Sequence, residues 1–459
     1  MSSPTPSSSS SSSGSSSDGS DSTGGGTREE FERPSSSRQR SDDGVWPEPF
    51  IEALAYQVAM DAARTLGRLA AGPAIATVFQ VCSTWAAISR SEHLWERLVR
   101  EIWARDILIH ATWHDEYIFR HVTASNFQTG RAEHTLLHYA VNGNGGDAAN
   151  INHDRLICRC VALSDFHVGC GFEDGTVRLF DLATRVHVST FHPLPRPRLG
   201  PRSQAVSGII LVDGTVVFAS IIGDVHVAFV HGDGVRRAQL GNVFNDGALV
   251  SFSGCRRWWV GLFAGAQGRS IHVWDGQTEN LVFDGRSLTD SDALQGWRAL
   301  VQFESVGRVR VSSGLGALLA HTSVRVMLLD LDRMEPILVE RELQTRVTVE
   351  SVDLVGELFL VVDSRGVGRV RRVDSFERVS RFRVRGVDEG EEPLIACMNS
   401  GCVFVWARSE IRVWSVEHGV RLYSLEERVD EATALAADEG HLVACSSDGS
   451  IHLWDFGAF

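Results

Sequence analysis

The stretch D-G-S-I-H-L-W-D-F (448–456) reads as a tight turn entering an alternating strand that ends in a Trp-Asp pair. Asp-Gly favours a two-residue turn, and apolar residues at every second position mark a strand with one buried face. The same texture begins at six earlier places. These are D-G-T-V-R-L-F-D-L from Asp174, G-D-V-H-V-A-F-V from Gly223, R-S-I-H-V-W-D from Arg269, S-V-R-V-M-L-L-D-L from Ser323, G-V-G-R-V-R-R-V-D from Gly366 and E-I-R-V-W-S-V from Glu410. They recur every 40 to 50 residues or so, room for four short strands per repeat.

Several of these runs end in W-D or a variant of it, and they resemble WD-repeat blades. The resemblance implies a mainly β fold, a seven-bladed WD-repeat β-propeller over residues 131–459. Seven blades take about 47 residues each, slightly above the usual ~40–45; a six- or eight-bladed ring is the alternative. The last blade shows strands near 432–438, 441–447 and 450–456, and then the chain ends without an outer strand. The run H-T-L-L-H-Y-A-V (134–141) precedes the first blade and is expected to supply it, closing the ring and leaving only short edges.

Upstream the period changes from two to three and four. Val78, Val81, Cys82, Trp85 and Ile88 fit one helical face, and Leu94, Trp95, Leu98, Ile102 and Trp103 another, with Ser91-Glu92 as a helix start. About 60 residues of short helices bury little core alone, so they are expected to lean on a partner or a neighbouring domain. The opening W-P-E-P-F (46–50), V-C-S-T-W (81–85) and L-W (94–95) resemble an F-box. That resemblance implies docking to a Skp-type adaptor, and through it to a cullin, by Pro47, Glu48, Val81, Cys82, Trp85, Leu94 and Trp95. The segment 54–69 is longer and richer in Ala than the pattern. Next, W-x-x-x-Y-x-x-R…N-F-x-x-G from Trp113 resembles the connector between an F-box and a propeller, a helix expected to end before Asn126. The organisation is therefore a disordered Ser/Gly-rich tail (1–44), an F-box-like helical module (45–104), a connector helix (105–130) and the propeller (131–459).

Composition narrows the function. A net charge of −14 argues against direct DNA binding. No stretch approaches the ~20 apolar residues of a membrane helix. The eight cysteines are scattered, several in strand-like runs, and read as reduced, buried thiols. No nucleophile motif, metal constellation or phosphate loop stands out, so the chain reads as non-catalytic, with no cofactor and no metal. All 44 basic residues are arginine. Arginine codon bias explains this, as does avoidance of self-modification beside activated ubiquitin, since lysine amines are the usual acceptors.

Candidate target contacts are cationic. The turns entering the repeated strands are expected to share one face; their Asp-Gly pairs read as turn chemistry, leaving Arg269 and Arg365. Eight arginines fall between 364 and 385, with Arg369 and Arg371 alternating along a strand. The loop P-L-P-R-P-R-L-G-P-R (193–202) adds Arg198 and Arg202. Guanidinium forks suit carboxylate and phosphate, so an acidic or phosphorylated degron is the implied ligand; a solvated outer blade is the plainer alternative. In G-C-R-R-W-W-V-G-L-F-A-G (254–265), adjacent Trp258 and Trp259 point to opposite faces of a strand and are read as core.

This last segment, with N-D-G-A-L-V before it, W-P-E-P-F at the start and I-H-L-W-D-F-G-A at the end, resembles the plant sterile-apetala type of F-box protein over nearly all of 45–459. The resemblance implies a nuclear regulator of flower and organ development, tied to transcription and to protein turnover. The leading expectation is the substrate-recognition subunit of a cullin-type ubiquitin ligase, its protein target a transcriptional regulator. The alternative is a transcriptional co-repressor scaffold without ligase activity.

Overall fold

A computed structural model describes residues 46–139, 156–196, 201–212, 214–232, 234–265, 271–284, 307–312, 314–322, 326–340, 347–384 and 393–459. The expected tail (1–44), with Arg198 and Arg269, lies outside the described residues.

Seven four-stranded antiparallel sheets follow one another as blades of a propeller. Blades one to six span residues 158–191, 206–239, 247–284, 307–340, 349–383 and 395–424. Within each, strands run in sequence order from the first, at the axis, to the fourth, at the rim. The repeated Trp-Asp-like runs are the third strands, for example Val177–Asp181, Ile271–Asp275 and Ile451–Asp455. Their terminal aspartates shape the next turn: Asp275 Oδ1 accepts from the amides of Gln277 (3.0 Å) and Thr278 (2.7 Å). Asp181 does the same for Thr184.

The seventh sheet closes the ring as expected. Its first three strands are Ala432–Ala437, His441–Ser446 and Ile451–Asp455. Its fourth is Glu133–Leu137, antiparallel to Ile451–Asp455, with Glu133 opposite Asp455 and Leu137 opposite Ile451. At the seam between blades seven and one, the buried thiols of Cys158, Cys170 and Cys445 lie within 4.8 Å of one another. Burial pushes the Cys158 thiol well up, so it packs as a neutral group.

Cores lie between blades. Trp258 packs with Met327 and Leu329 of blade four, and Trp259 with Val217 and Ile210 of blade two. Both tryptophans are buried, on opposite faces of blade three.

Among the described residues five α-helices precede the propeller: α1 (Glu48–Leu66), α2 (Ala71–Phe79), α3 (Ser83–Ala87), α4 (Glu92–Trp103) and α5 (Trp113–Thr129). Ser91 caps α4 by accepting from the Leu94 amide (3.3 Å). The face expected over 78–88 is broken. The chain leaves α2 after Phe79, and Cys82 is extended (φ −164°, ψ 173°) as the cap of α3. Val78 and Ile88 are buried, while Val81 is 60 % exposed.

Helix α5 runs to Thr129, past the expected stop at Asn126, and ends at Gly130 in the left-handed region (φ 77°). It continues because its last turn is held by the propeller. Phe127 stacks on Phe456 with centroids 3.8 Å apart. Asn126 Nδ2 donates to the Phe456 carbonyl (2.8 Å), and Tyr423 Oη to that of Phe127 (2.6 Å). Residues 48–459 thus form one compact unit.

Candidate functional site

An antiparallel four-strand meander puts its first and third turns at one end of the blade, and its second turn, with the link to the next blade, at the other. This assigns two faces to the ring. The helices sit on the first-turn face. Arg68, between α1 and α2, pairs with Glu439 in the first turn of blade seven (2.7 Å), and Arg105 pairs with Asp165 in the first turn of blade one (2.6 Å). Glu439 also accepts from the Ser400 amide in the first turn of blade six (2.8 Å). The turns that enter the third strands therefore lie on the opposite face, as expected for Asp174, Asp224, Arg365 and Asp448.

The aspartates there are spent on structure. Asp174 Oδ1 accepts from the Thr176 amide (2.9 Å). Asp224 is buried against Arg196 (3.2 Å) and Arg237 (3.3 Å). Pro193–Arg196 is also tied down rather than protruding: Arg196 donates to the Gly241 carbonyl and the Leu194 amide to His226 Nε2. Arg202 falls in the short turn Pro201–Gln204, with its side chain outside the description. In blade five, Arg365 is exposed, whereas Arg369 is held by the buried Asp363 (3.0 Å). Arg371 is half-buried. Arg369 lies opposite Arg381, and Arg371 opposite Arg378, on the outermost strand. That edge is cationic, with Arg372, Arg378, Arg381 and Arg383 all exposed.

In the helical module, Pro47, Glu48, Val81 and Cys82 are exposed, and Trp85 is half-buried. Leu94 and Trp95 are 0 % and 4 % exposed, packed inside the module. Trp95 lies 4.9 Å from Tyr117 by ring centroid, and its Nε1 donates to the Ser89 carbonyl (2.7 Å). Their apolar stripe holds α4 against α5.

The feature missed from sequence is the axial channel, a cavity of about 500 Å³ lined by the first strands of the blades. Register shifts at 158/160, 206/208, 249/251, 349/351 and 432/434 mark β-bulges in five of these strands. The extra residues Arg159, Ser207, Val250 and Thr433 line the cavity. Blade four contributes Arg308 and Arg310 from Gly307–Ser312. Arg310 Nε donates to Asp353 Oδ1 (3.1 Å). The Asp353 carboxylate also accepts from the amides of Leu354 (3.0 Å) and Met398 (2.8 Å). The Arg308 side chain makes no hydrogen bond or ion pair among the described residues, and it lines the cavity together with Cys160 of blade one and Cys397 of blade six. Burial, with Arg310 beside it, brings Arg308 down to about 10, still cationic at neutral pH. The alternation G-R-V-R-V (307–311) on a strand opening a blade was the available signal.

The arrangement offers a ring of turns around an axial channel on the face away from the helices. The WD domain, G-beta repeat family matches residues 421–455, the outer strand of blade six through the third strand of blade seven. A solved structure, the computationally designed Ika8 protein, overlaps 66 % of this chain and 98 % of its own at 15 % identity and a TM-score of 0.45. The transcriptional regulator STERILE APETALA of Arabidopsis thaliana is 46 % identical over 443 residues, 95 % of this chain and 97 % of that protein. With that identity carried through helices and propeller alike, the chain belongs to the STERILE APETALA family.

Proposed function

We propose that this protein is a nuclear, non-catalytic regulator of transcription that works by binding other proteins through the propeller face turned away from its helices. The observation that carries this reading is near full-length similarity to a protein named a transcriptional regulator. A propeller suits the role, since it presents many loops on a rigid frame. The net charge of −14 favours action through protein partners over direct DNA contact. The family resemblance extends the proposal to flower and organ development, with another transcriptional regulator as the target. Tethering the full chain to a reporter promoter through a foreign DNA-binding domain tests it. A change in reporter output that Arg365→Glu weakens supports the reading; an unchanged reporter counts against it.

A second reading rests on the exposed Val81 and Cys82, which stand where an F-box carries V-C. Here the helices dock a Skp-type adaptor and through it a cullin. The propeller holds the target, raising the effective concentration of its lysines near the ligase. Because Leu94 and Trp95 are core, the informative substitution is Val81→Asp. Adaptor binding by the full chain that Val81→Asp abolishes, with helicity retained, favours the ligase reading. Absence of binding leaves the regulator without that activity.

A further inference from the structure

We propose that the channel mouth beside Arg308 is an anion site that takes the acidic side chain, carboxylate or phosphate, of a peptide presented by a partner protein. The partner class rests on the protein-binding reading above; the anion site does not.

A partly buried cation favours a close counter-charge, and the Arg308 side chain makes no ion pair among the described residues, with only the shared Asp353 carboxylate acting on it. The obvious candidate, Asp353, is already shared by Arg310 and two backbone amides. Arg308 is the second residue of its strand, so it sits near the end of the channel away from the helices. Arg159 of blade one stands at the same end, with Glu173 3.9 Å away, at the limit of an ion pair. The channel thus carries three arginines against Glu173 and Asp353, in a chain whose net charge is −14. An acidic ligand repelled by the general surface would find its attraction concentrated here.

The rest of the lining selects the kind of anion. Towards that end the lining includes the apolar Ile157, Val206 and Ala434. A carboxylate or phosphate on a hydrocarbon stem fits such walls better than a polyanion does. About 500 Å³ admits side chains and not a folded domain. The guanidinium fork of Arg308 can meet two oxygens of a carboxylate or phosphate at once.

The test uses the full chain, with inorganic phosphate as the first probe. Thermal melts are compared in chloride and in phosphate at matched ionic strength for the parent, Arg308→Met and Arg310→Met. The parent should melt higher in phosphate. Arg308→Met should melt close to the parent in chloride, because the half-buried side chain makes no ion pair, and should lose the phosphate response. Arg310→Met should melt lower, since it leaves Asp353 without its cation. An equal phosphate response in parent and Arg308→Met overturns the site, as does no response in either. In the second arm, degenerate ten-residue peptides centred on Glu, phosphoserine or Gln are passed over the immobilised chain. Acidic peptides should bind the parent about tenfold or more better than Arg308→Met, with no such preference for the Gln set. A phosphate response without acidic-peptide preference would keep the anion site and overturn the peptide as its source.

Discussion

Ring closure is the joint on which the fold depends. The sharpest perturbation replaces Glu133–Leu137 with Gly-Pro-Gly-Pro-Ser, keeping chain length while removing the paired strand. Proline cannot donate to a ladder, and glycine brings no side chain to pack. Five residue pairs join this strand to Ile451–Asp455. At about 0.5–1.5 kcal/mol net per hydrogen bond, the ladder contributes roughly 3–5 kcal/mol. Leu137 is 4 % exposed and packs with Phe180 and Leu453, adding about 2 kcal/mol. The Arg185 contacts with Glu133 and Asp455 are half-exposed and add little. A loss of about 5–7 kcal/mol is comparable with the whole stability of a domain, about 5–15 kcal/mol. The variant should therefore unfold, or lose most of its denaturant midpoint, in urea titrations followed by tryptophan fluorescence and far-ultraviolet circular dichroism. A midpoint within error of the parent would refute the closure argument.

Two further perturbations probe other joints. Phe127→Ala removes the ring stacked on Phe456 and edge-on to Phe404 and should cost about 3–5 kcal/mol; in limited proteolysis, cleavage near α5 should precede loss of the propeller, and simultaneous loss would count against this. His226 is buried, and its Nε2 accepts from the Leu194 amide (3.2 Å), so the folded state requires it neutral. Burial brings it from 6.5 to about 4. A lowered folded value means the stability is present above 6.5 and is lost as pH falls toward 4, by about 2 kcal/mol at pH 5. His226→Leu should flatten that part of the acid profile in urea titrations at pH 7 and pH 5; an unchanged pH slope would refute the assignment.

The fold was legible because its signals are local and repeated. The third strands alternate and are entered by tight turns, and four of them end in an aspartate at the next turn. Seven weak copies add up where one would not. Ring closure was legible for a different reason: a blade one strand short and a strand with no blade imply each other. The helical module was harder. Val81 fits an apolar stripe by spacing, yet the break at Cys82 turns it outward, because tertiary packing of short helices overrides period. Leu94 and Trp95, which match a docking motif, are packed in the core of the module. The channel was hidden for a geometric reason. Arg308 and Asp353 become neighbours only when two blades meet at the axis, and no spacing within one blade encodes that.

The two ends of the ring are mechanically unequal. Helix α5 does not merely rest on the propeller: it passes through Gly130 directly into the strand that closes it. At Gly130 a side chain would meet a left-handed backbone (φ 77°) and the Tyr423 ring 2.9 Å from its Cβ position. The Phe127 anchor, the Gly130 turn and the closing strand are thus three consecutive parts of one device, and each needs the others in place. A module fixed this way cannot swing freely while the ring stays closed. Whatever the helices hold is therefore kept in a set relation to blades six, seven and one. The opposite end, with its turns and the Arg308 mouth, carries no such anchor among the described residues. That asymmetry suits the proposed binding of partners at the channel end.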